Sequence, residues 1–118
     1  MRSMPVIAAA ALVLTASGAA MAANPTRIAE TGAFLLGNAH RCGITDERVV
    51  RAGKVIRELI TAAADDASER AAAKSRFVEI FRESARPEGN GRIPIPPCET
   101  VVVQFERLEQ FHDQTAHR

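Results

Sequence analysis

Two cysteines, Cys42 and Cys98, are the only ones in the chain, and a bond between them would tie together positions far apart in the sequence. Such a crosslink restricts the fold to arrangements in which both positions reach the same place. It would close a loop of about 55 residues, which in the chain-entropy model is worth roughly 4 kcal/mol of stability. Whether the bond forms depends first on the compartment.

The amino-terminal residues predict export. Arg2 is followed by an apolar segment, and the sequence AMA at 20–22 fits the small-residue cleavage pattern of a secretory signal peptide. We therefore predict a signal peptide over residues 1–22 and a single helical domain over residues 23–118. An uncleaved membrane anchor is the alternative. The apolar segment is rich in Ala, Ser, Thr and Gly, however, so its tendency to insert is weak.

Export to the periplasm or outside the cell determines how the two cysteines are interpreted. In an oxidising compartment the simplest state of Cys42 and Cys98 is one disulfide. Loss of Arg2 with the signal peptide leaves fourteen basic and fourteen acidic residues, so no net charge attracts nucleic acid or an anionic membrane surface. We expect no nucleic-acid partner and no membrane insertion after signal cleavage.

Capping residues and apolar spacing predict four helices. A polar cap before a run with helical spacing marks a helix start, and proline is favoured at the first helical position. Gly43 supplies the left-handed residue that would end the first helix. The fourth helix is predicted to run to His112 or slightly beyond. The predicted starts are Asn24 with Pro25, Thr45 with Asp46 and Glu47, Asp66 with Glu69, and Pro97.

A single long helix over residues 46–86 would also satisfy the apolar spacing of the second and third segments. It would rise about 60 Å. The strap that follows, residues 87–97, spans only about 34 Å in polyproline geometry, so Cys98 could not return to Cys42. The disulfide therefore favours a break near Asp65 and Asp66.

The strap is rich in proline and cannot be helical. Ile93 and Ile95 alternate with its prolines, and a wholly exposed strap has little use for two isoleucines. We expect at least one of them to pack over the mouth between the third and fourth helices. If neither packs, both are candidates for contact with a partner.

Together these features predict an all-α fold, a small antiparallel four-helix bundle running up-down-up-down. One long-range disulfide and a proline-rich strap before the last helix complete it. This plan resembles that of the periplasmic acid-stress chaperones of the HdeA type. The resemblance rests on the signal peptide, Cys42 and Cys98 and on no residue motif. It implies a possible acid-stress role, and no functional residue is carried over.

No catalytic constellation stands out in the sequence. His40 and Cys42 could ligate zinc only with a free thiol, and no second pair completes a tetrahedral site. We therefore expect no metal, no cofactor and no enzymatic activity. His112 falls on the apolar face of the predicted fourth helix, which makes it a candidate pH-sensitive core residue.

Two functions are consistent with these features. The first is a small exported helical protein that acts by binding another, unidentified protein, as an adaptor, an inhibitor or a stress chaperone. The second is a periplasmic carrier of a small molecule or metal, or a small accessory subunit of an enzyme. The lack of polar clusters at the predicted core positions favours the first.

Overall fold

Four α-helices form the part of the chain that the computed structural model describes: residues 24–88, 91 and 93–116, with side chains as far as residue 113. They are α1 (Pro25–Arg41), α2 (Asp46–Ala63), α3 (Ala67–Ser84) and α4 (Cys98–Ala116). No strand occurs in these ranges, so the all-α prediction is confirmed. The predicted signal peptide lies outside the described residues.

Helix starts follow the capping residues seen in the sequence. The side chain of Asn24 accepts the N–H of Arg27 at the start of α1, and that of Thr45 caps α2 in the same way. At α3 the Asp66 carboxylate accepts the N–H of Glu69 at 2.8 Å, and the Glu69 carboxylate accepts the N–H of Asp65 at 2.8 Å. This reciprocal pair satisfies two otherwise unpaired donors and confirms the predicted break between α2 and α3.

α1 is the central helix, because it alone packs against all three others. Its most extensive contact is with α3, which runs in the same direction: Glu30 meets Arg76, and Gly37 lies against Ser84. α2 runs the opposite way beside α1, with its Ile56 against Gly32. These directions fit the predicted alternation. However, no Cα atom in the described residues of α3 lies within 8 Å of one in α4, so the packing departs from a square bundle.

Small residues on α1 explain this departure. Ala29, Ala33 and Gly37 are buried and recur every fourth residue, which places them on one face of the helix. A methyl group added at Gly37 would lie 2.5 Å from the Ser84 Cβ and 2.9 Å from the Phe81 carbonyl oxygen. The absence of a side chain therefore lets α3 lie directly on α1. Leu36 is fully buried, and its neighbour Leu35 is half-buried against the core.

The core is completed by aliphatic side chains of α2 and by the inner face of α4. Val101 and Phe105 of α4 are fully or almost fully buried in one cluster with α1, α2 and α3 residues. The remaining buried members of that cluster are Ile28, Ala29, Ala33, Leu36, Ala39, Val49, Ala52, Ile56, Ile60, Ala73 and Phe77.

The disulfide joins the end of α1 to the start of α4. Cys42 is the C-cap of α1 and Cys98 is the first residue of α4, with an S–S distance of 2.10 Å and a Cα–Cα distance of 5.5 Å. Gly43 follows with a φ of 95°, the left-handed geometry that glycine adopts without strain. The pairing and the end of α1 are both as predicted.

The strap lies in a different place from the one predicted. Ile93 and Ile95 border a small recess with Phe34 of α1 and with Glu83 and Ser84 at the end of α3. Their surfaces are 51% and 44% exposed. The prediction placed the strap over the mouth between the third and fourth helices, and it is wrong for the fourth. Because α3 packs on α1, the strap lies beside α3 and α1 instead.

Candidate binding groove between the second and fourth helices

A groove with an apolar floor runs between α2 and α4. Its floor is made by Ala52 and Val55, which are buried, and by Leu108, which is half-buried against the core. Its volume is about 510 Å³. α2 and α4 touch each other only slightly, and this separation leaves the floor accessible from outside. Concave apolar surfaces of this size are characteristic of binding sites.

Ionisable side chains form both walls of the groove. Arg51, Lys54 and Glu58 stand on the α2 side. Glu109, His112 and Asp113 stand on the α4 side. They occur here because the helical repeat that turns Ala52 and Val55 inward turns their neighbours to solvent. The groove therefore offers a partner an apolar surface to pack against and charged side chains that can fix its orientation.

A charged clamp fixes the two helices at one end of the groove. Arg48 of α2 donates two hydrogen bonds to the Glu109 carboxylate, from Nε at 3.0 Å and from Nη2 at 2.6 Å. Its guanidinium also lies 5.3 Å from the centre of the buried Phe105 ring. The hydrogen bond to Glu109 raises the pKa of Arg48 above its usual value, against a smaller lowering by desolvation. The clamp sets the distance between the walls.

His112 does not have the environment predicted for it. The sequence placed it in the core as a pH-sensitive residue, whereas the structure places it exposed on the rim of the groove. The apolar face of α4 ends at Leu108, because the last turns of the helix extend past the floor of the groove. His112 is therefore a residue of the candidate site and not of the core.

One polar side chain, that of Asn38, is buried among the described residues near the end of α1. Its side chain is only 3% exposed; it donates to the Phe34 carbonyl and accepts from Nε and Nη2 of Arg41. Arg41 in turn donates to the Pro96 carbonyl at 3.1 Å and lies 3.9 Å from the Cys98 sulfur. This cluster ties α1 to the strap beside the disulfide. Its sequence signal was an asparagine three residues before an arginine at a helix end.

The zinc alternative at His40 and Cys42 is contradicted by the disulfide, because both thiols are used. His40 lies 3.3 Å from the Asp46 carboxylate and edge-on to the Phe81 ring. Within residues 24–88, 91 and 93–116 no three metal-ligating side chains come together. No helix in the same ranges is long and apolar enough to cross a membrane.

Comparison with protein-family models, with curated proteins and with solved structures finds no match for this chain.

Proposed function

We propose that this is a non-enzymatic exported protein that binds an amphipathic segment of a partner protein in the groove between α2 and α4. The observation that carries the proposal is the aliphatic floor of Ala52, Val55 and Leu108 between two walls of ionisable side chains. An amphipathic helix presents the matching pattern, with apolar side chains on one face and charged ones on its flanks.

The disulfide supports this proposal in two ways. It is compatible with export, since such bonds persist in oxidising compartments. It also holds the start of α4 against the end of α1, and α4 supplies one wall of the groove. A wall that is fixed before binding reduces the ordering cost of complex formation.

A small-molecule carrier is the second candidate, because a volume of about 510 Å³ also falls in the range of small-ligand sites. A carrier purified under native conditions is expected to retain some ligand. Native mass spectrometry of the purified protein separates the two candidates, because a bound mass above that of the chain would support the carrier.

Two substitutions on α4 test the groove. Leu108→Arg places a long cation on the floor, while Val103→Arg makes the same change at a position that is 46% exposed and outside the groove. Short peptides selected from a random displayed library on the oxidised wild-type protein serve as the probe, with affinity measured by fluorescence anisotropy.

We expect Leu108→Arg to weaken binding by at least about tenfold, equivalent to 1.4 kcal/mol, and Val103→Arg to leave it nearly unchanged. Thermal unfolding of both variants verifies that each is folded. Equal affinities for the two folded variants, or failure to select any peptide, would contradict the proposal.

A further inference from the structure

We infer that the segment bound in the α2–α4 groove is acidic: an amphipathic helix whose flanks carry Asp or Glu. The inference rests on the proposed function of the groove and adds the charge of its occupant. It depends on which ionisable side chains near the groove are already paired within the fold and which remain available to a partner.

The acidic residues of the α4 wall are already engaged. Both carboxylate oxygens of Glu109 accept hydrogen bonds from Arg48. Asp113 also has an interaction of its own. On the α2 wall Glu58 forms no ion pair with the described residues, so it is the one carboxylate of the groove that remains available.

The cations are in the opposite situation. Lys54 stands on the groove wall, and Arg57 and Lys74 lie just across the α2 ridge, on an open surface between α2 and α3. Within the described part of the chain none of the three is in an ion pair, including the Lys54–Glu58 pair that helical spacing favours. Arg51 has only a long, exposed contact of 3.5 Å with Glu47.

Within the groove, the unpaired Lys54 and the weakly held Arg51 therefore stand beside one available carboxylate, and the unpaired Arg57 and Lys74 lie on the adjoining surface. By contrast, Arg48 and Arg76 are paired within the fold. Arg48 binds a carboxylate of α4, and Arg76 binds one carboxylate of α1 and one of its own helix. A partner that lies in the groove brings its flank beside Lys54 and within reach of Arg57. Opposite charge on that flank is favoured and like charge is penalised.

The shape of the surface favours a peptide helix over a lipid bilayer. The apolar residues of the site form a concave floor beneath the charged walls, so they cannot protrude into a membrane. From Arg51 to Glu58 the α2 wall is two helical turns, about 10 Å long. A helix laid along it would place apolar side chains at i and i+4 or i+7 on the floor.

The test uses three synthetic peptides with the same leucine stripe and with Glu, Gln or Lys at the flanking positions. Binding of each to the oxidised protein is measured by fluorescence anisotropy at low and at high salt. We expect the Glu peptide to bind at least about tenfold more tightly than the Lys peptide, and this preference to shrink at high salt because the cations are exposed.

Two charge-reversed proteins locate the preference. Lys54→Glu with Arg57→Glu is expected to abolish it, while Arg82→Glu with Arg86→Glu changes net charge equally on exposed residues outside the groove and should retain it. Vesicles of phosphatidylglycerol serve as the anionic-membrane probe, and we expect no binding to them that is stronger than binding to neutral vesicles.

Each remaining outcome has a definite meaning. If the Gln or Lys peptide binds as well as the Glu peptide and Leu108→Arg blocks both, the groove proposal stands and the acidic partner is overturned. If no peptide binds, both are overturned. Preferential binding to the anionic vesicles that survives Leu108→Arg also overturns the acidic peptide, because the cations then serve a membrane surface.

Discussion

At the residue scale, the glycines of the helices have different roles. Gly37 lies where the backbone of α3 touches α1, so an added methyl group would meet the Ser84 Cβ and the Phe81 carbonyl. A methyl group added at Gly53 would have ordinary space, because the nearest atom, an Arg57 nitrogen, would lie 3.5 Å from it. Glycine in a helix interior is intrinsically unfavourable, but Gly32 and Gly37 lie where α2 and α3 approach α1 most closely.

We expect Gly37→Ala to lower the free energy of unfolding by about 1–3 kcal/mol, because two helix backbones must move apart to accept the methyl group. Gly53→Ala is the matched control and should raise stability by up to about 1 kcal/mol, since alanine is the better helix former. Urea unfolding monitored by circular dichroism measures both. Stabilisation by Gly37→Ala would show that α1 and α3 are not in close contact.

Asn38 is the second residue whose role depends on the fold. It is the buried acceptor that orients Arg41, and Arg41 reaches the strap and the disulfide from there. Asn38→Ala is expected to cost about 1–3 kcal/mol, because the Arg41 guanidinium loses one of its two oxygen acceptors and the site loses its packing. Gln104→Ala, on an exposed position of α4, should change stability little. Equal effects of the two would exclude a role for the cluster.

At the element scale, the disulfide is the main tether of the α4 amino terminus. Within the described residues the backbone of α4 approaches those of α1 and α2 but not that of α3, and its first residue is Cys98. Reduction should therefore lower stability by up to roughly 4 kcal/mol and loosen α4 before the rest of the fold. Hydrogen exchange with and without a dithiol reductant should show faster exchange at Val101 and Phe105 than in α3.

Thiol labelling provides the control for that experiment. The oxidised protein should take up no label, and the reduced protein should take up two. Label on both cysteines of native, unreduced material would contradict the disulfide. Uniform acceleration of exchange over α3 and α4 alike would contradict the tethering of α4 by the bond.

Local chemistry in the sequence predicted the elements well, because caps act within a few residues. Asn24, Thr45 and Asp66 each cap a helix. The short reach of the strap correctly predicted that α2 and α3 are separate helices. Packing was harder to foresee. The place of the strap depends on α3 lying directly on α1. That contact is decided by small residues on two helices at once.

The groove was not predicted for the same reason. Ala52, Val55 and Leu108 belong to different helices, and nothing in their spacing shows that α2 and α4 diverge between them. In the sequence, Lys54 and Arg57 cannot be distinguished from ordinary solvent-exposed residues of a helix. Their significance comes from the absence of ion pairs around them in the folded chain.

At the scale of the whole molecule, charge couples stability to pH. Arg48 is charged at neutral pH, and the hydrogen bond to Glu109 raises its pKa further, so the contribution of this pair is lost on the alkaline side only as pH rises through the raised value. Arg76, bound to Glu30 and Glu79, behaves in the same way.

We therefore expect both pairs to contribute the same amount to the midpoint of thermal unfolding at about pH 7 and at about pH 9, because both values lie well below the raised arginine pKa values. Glu109→Gln should have a lower midpoint than the wild type at both pH values, because its clamp is broken. Glu58→Gln, which removes an exposed and unpaired carboxylate, should match the wild type. A midpoint for Glu109→Gln equal to that of the wild type would show that the clamp does not contribute to stability.

An acid-stress role stays a prediction with a changed basis. His112 is exposed, so a buried histidine no longer supports an acid-stress role. The remaining basis is the excess of positive charge once the carboxylates are neutralised, because the full chain has fifteen basic residues and three histidines. Suppression of client aggregation at about pH 2–3 by the oxidised protein is the assay for that role. Equal aggregation without the protein would remove it and leave the groove untouched.

Chemical-shift mapping by NMR is the most direct test of the groove as the binding site. The acidic amphipathic peptide is titrated into oxidised, isotope-labelled protein. Shift changes should concentrate at Ala52, Val55 and Leu108, while the exposed Val78 of α3 stays unchanged. Changes centred on α3 or on the strap, with the groove residues unaffected, would contradict the α2–α4 groove as the place where this protein binds its partner.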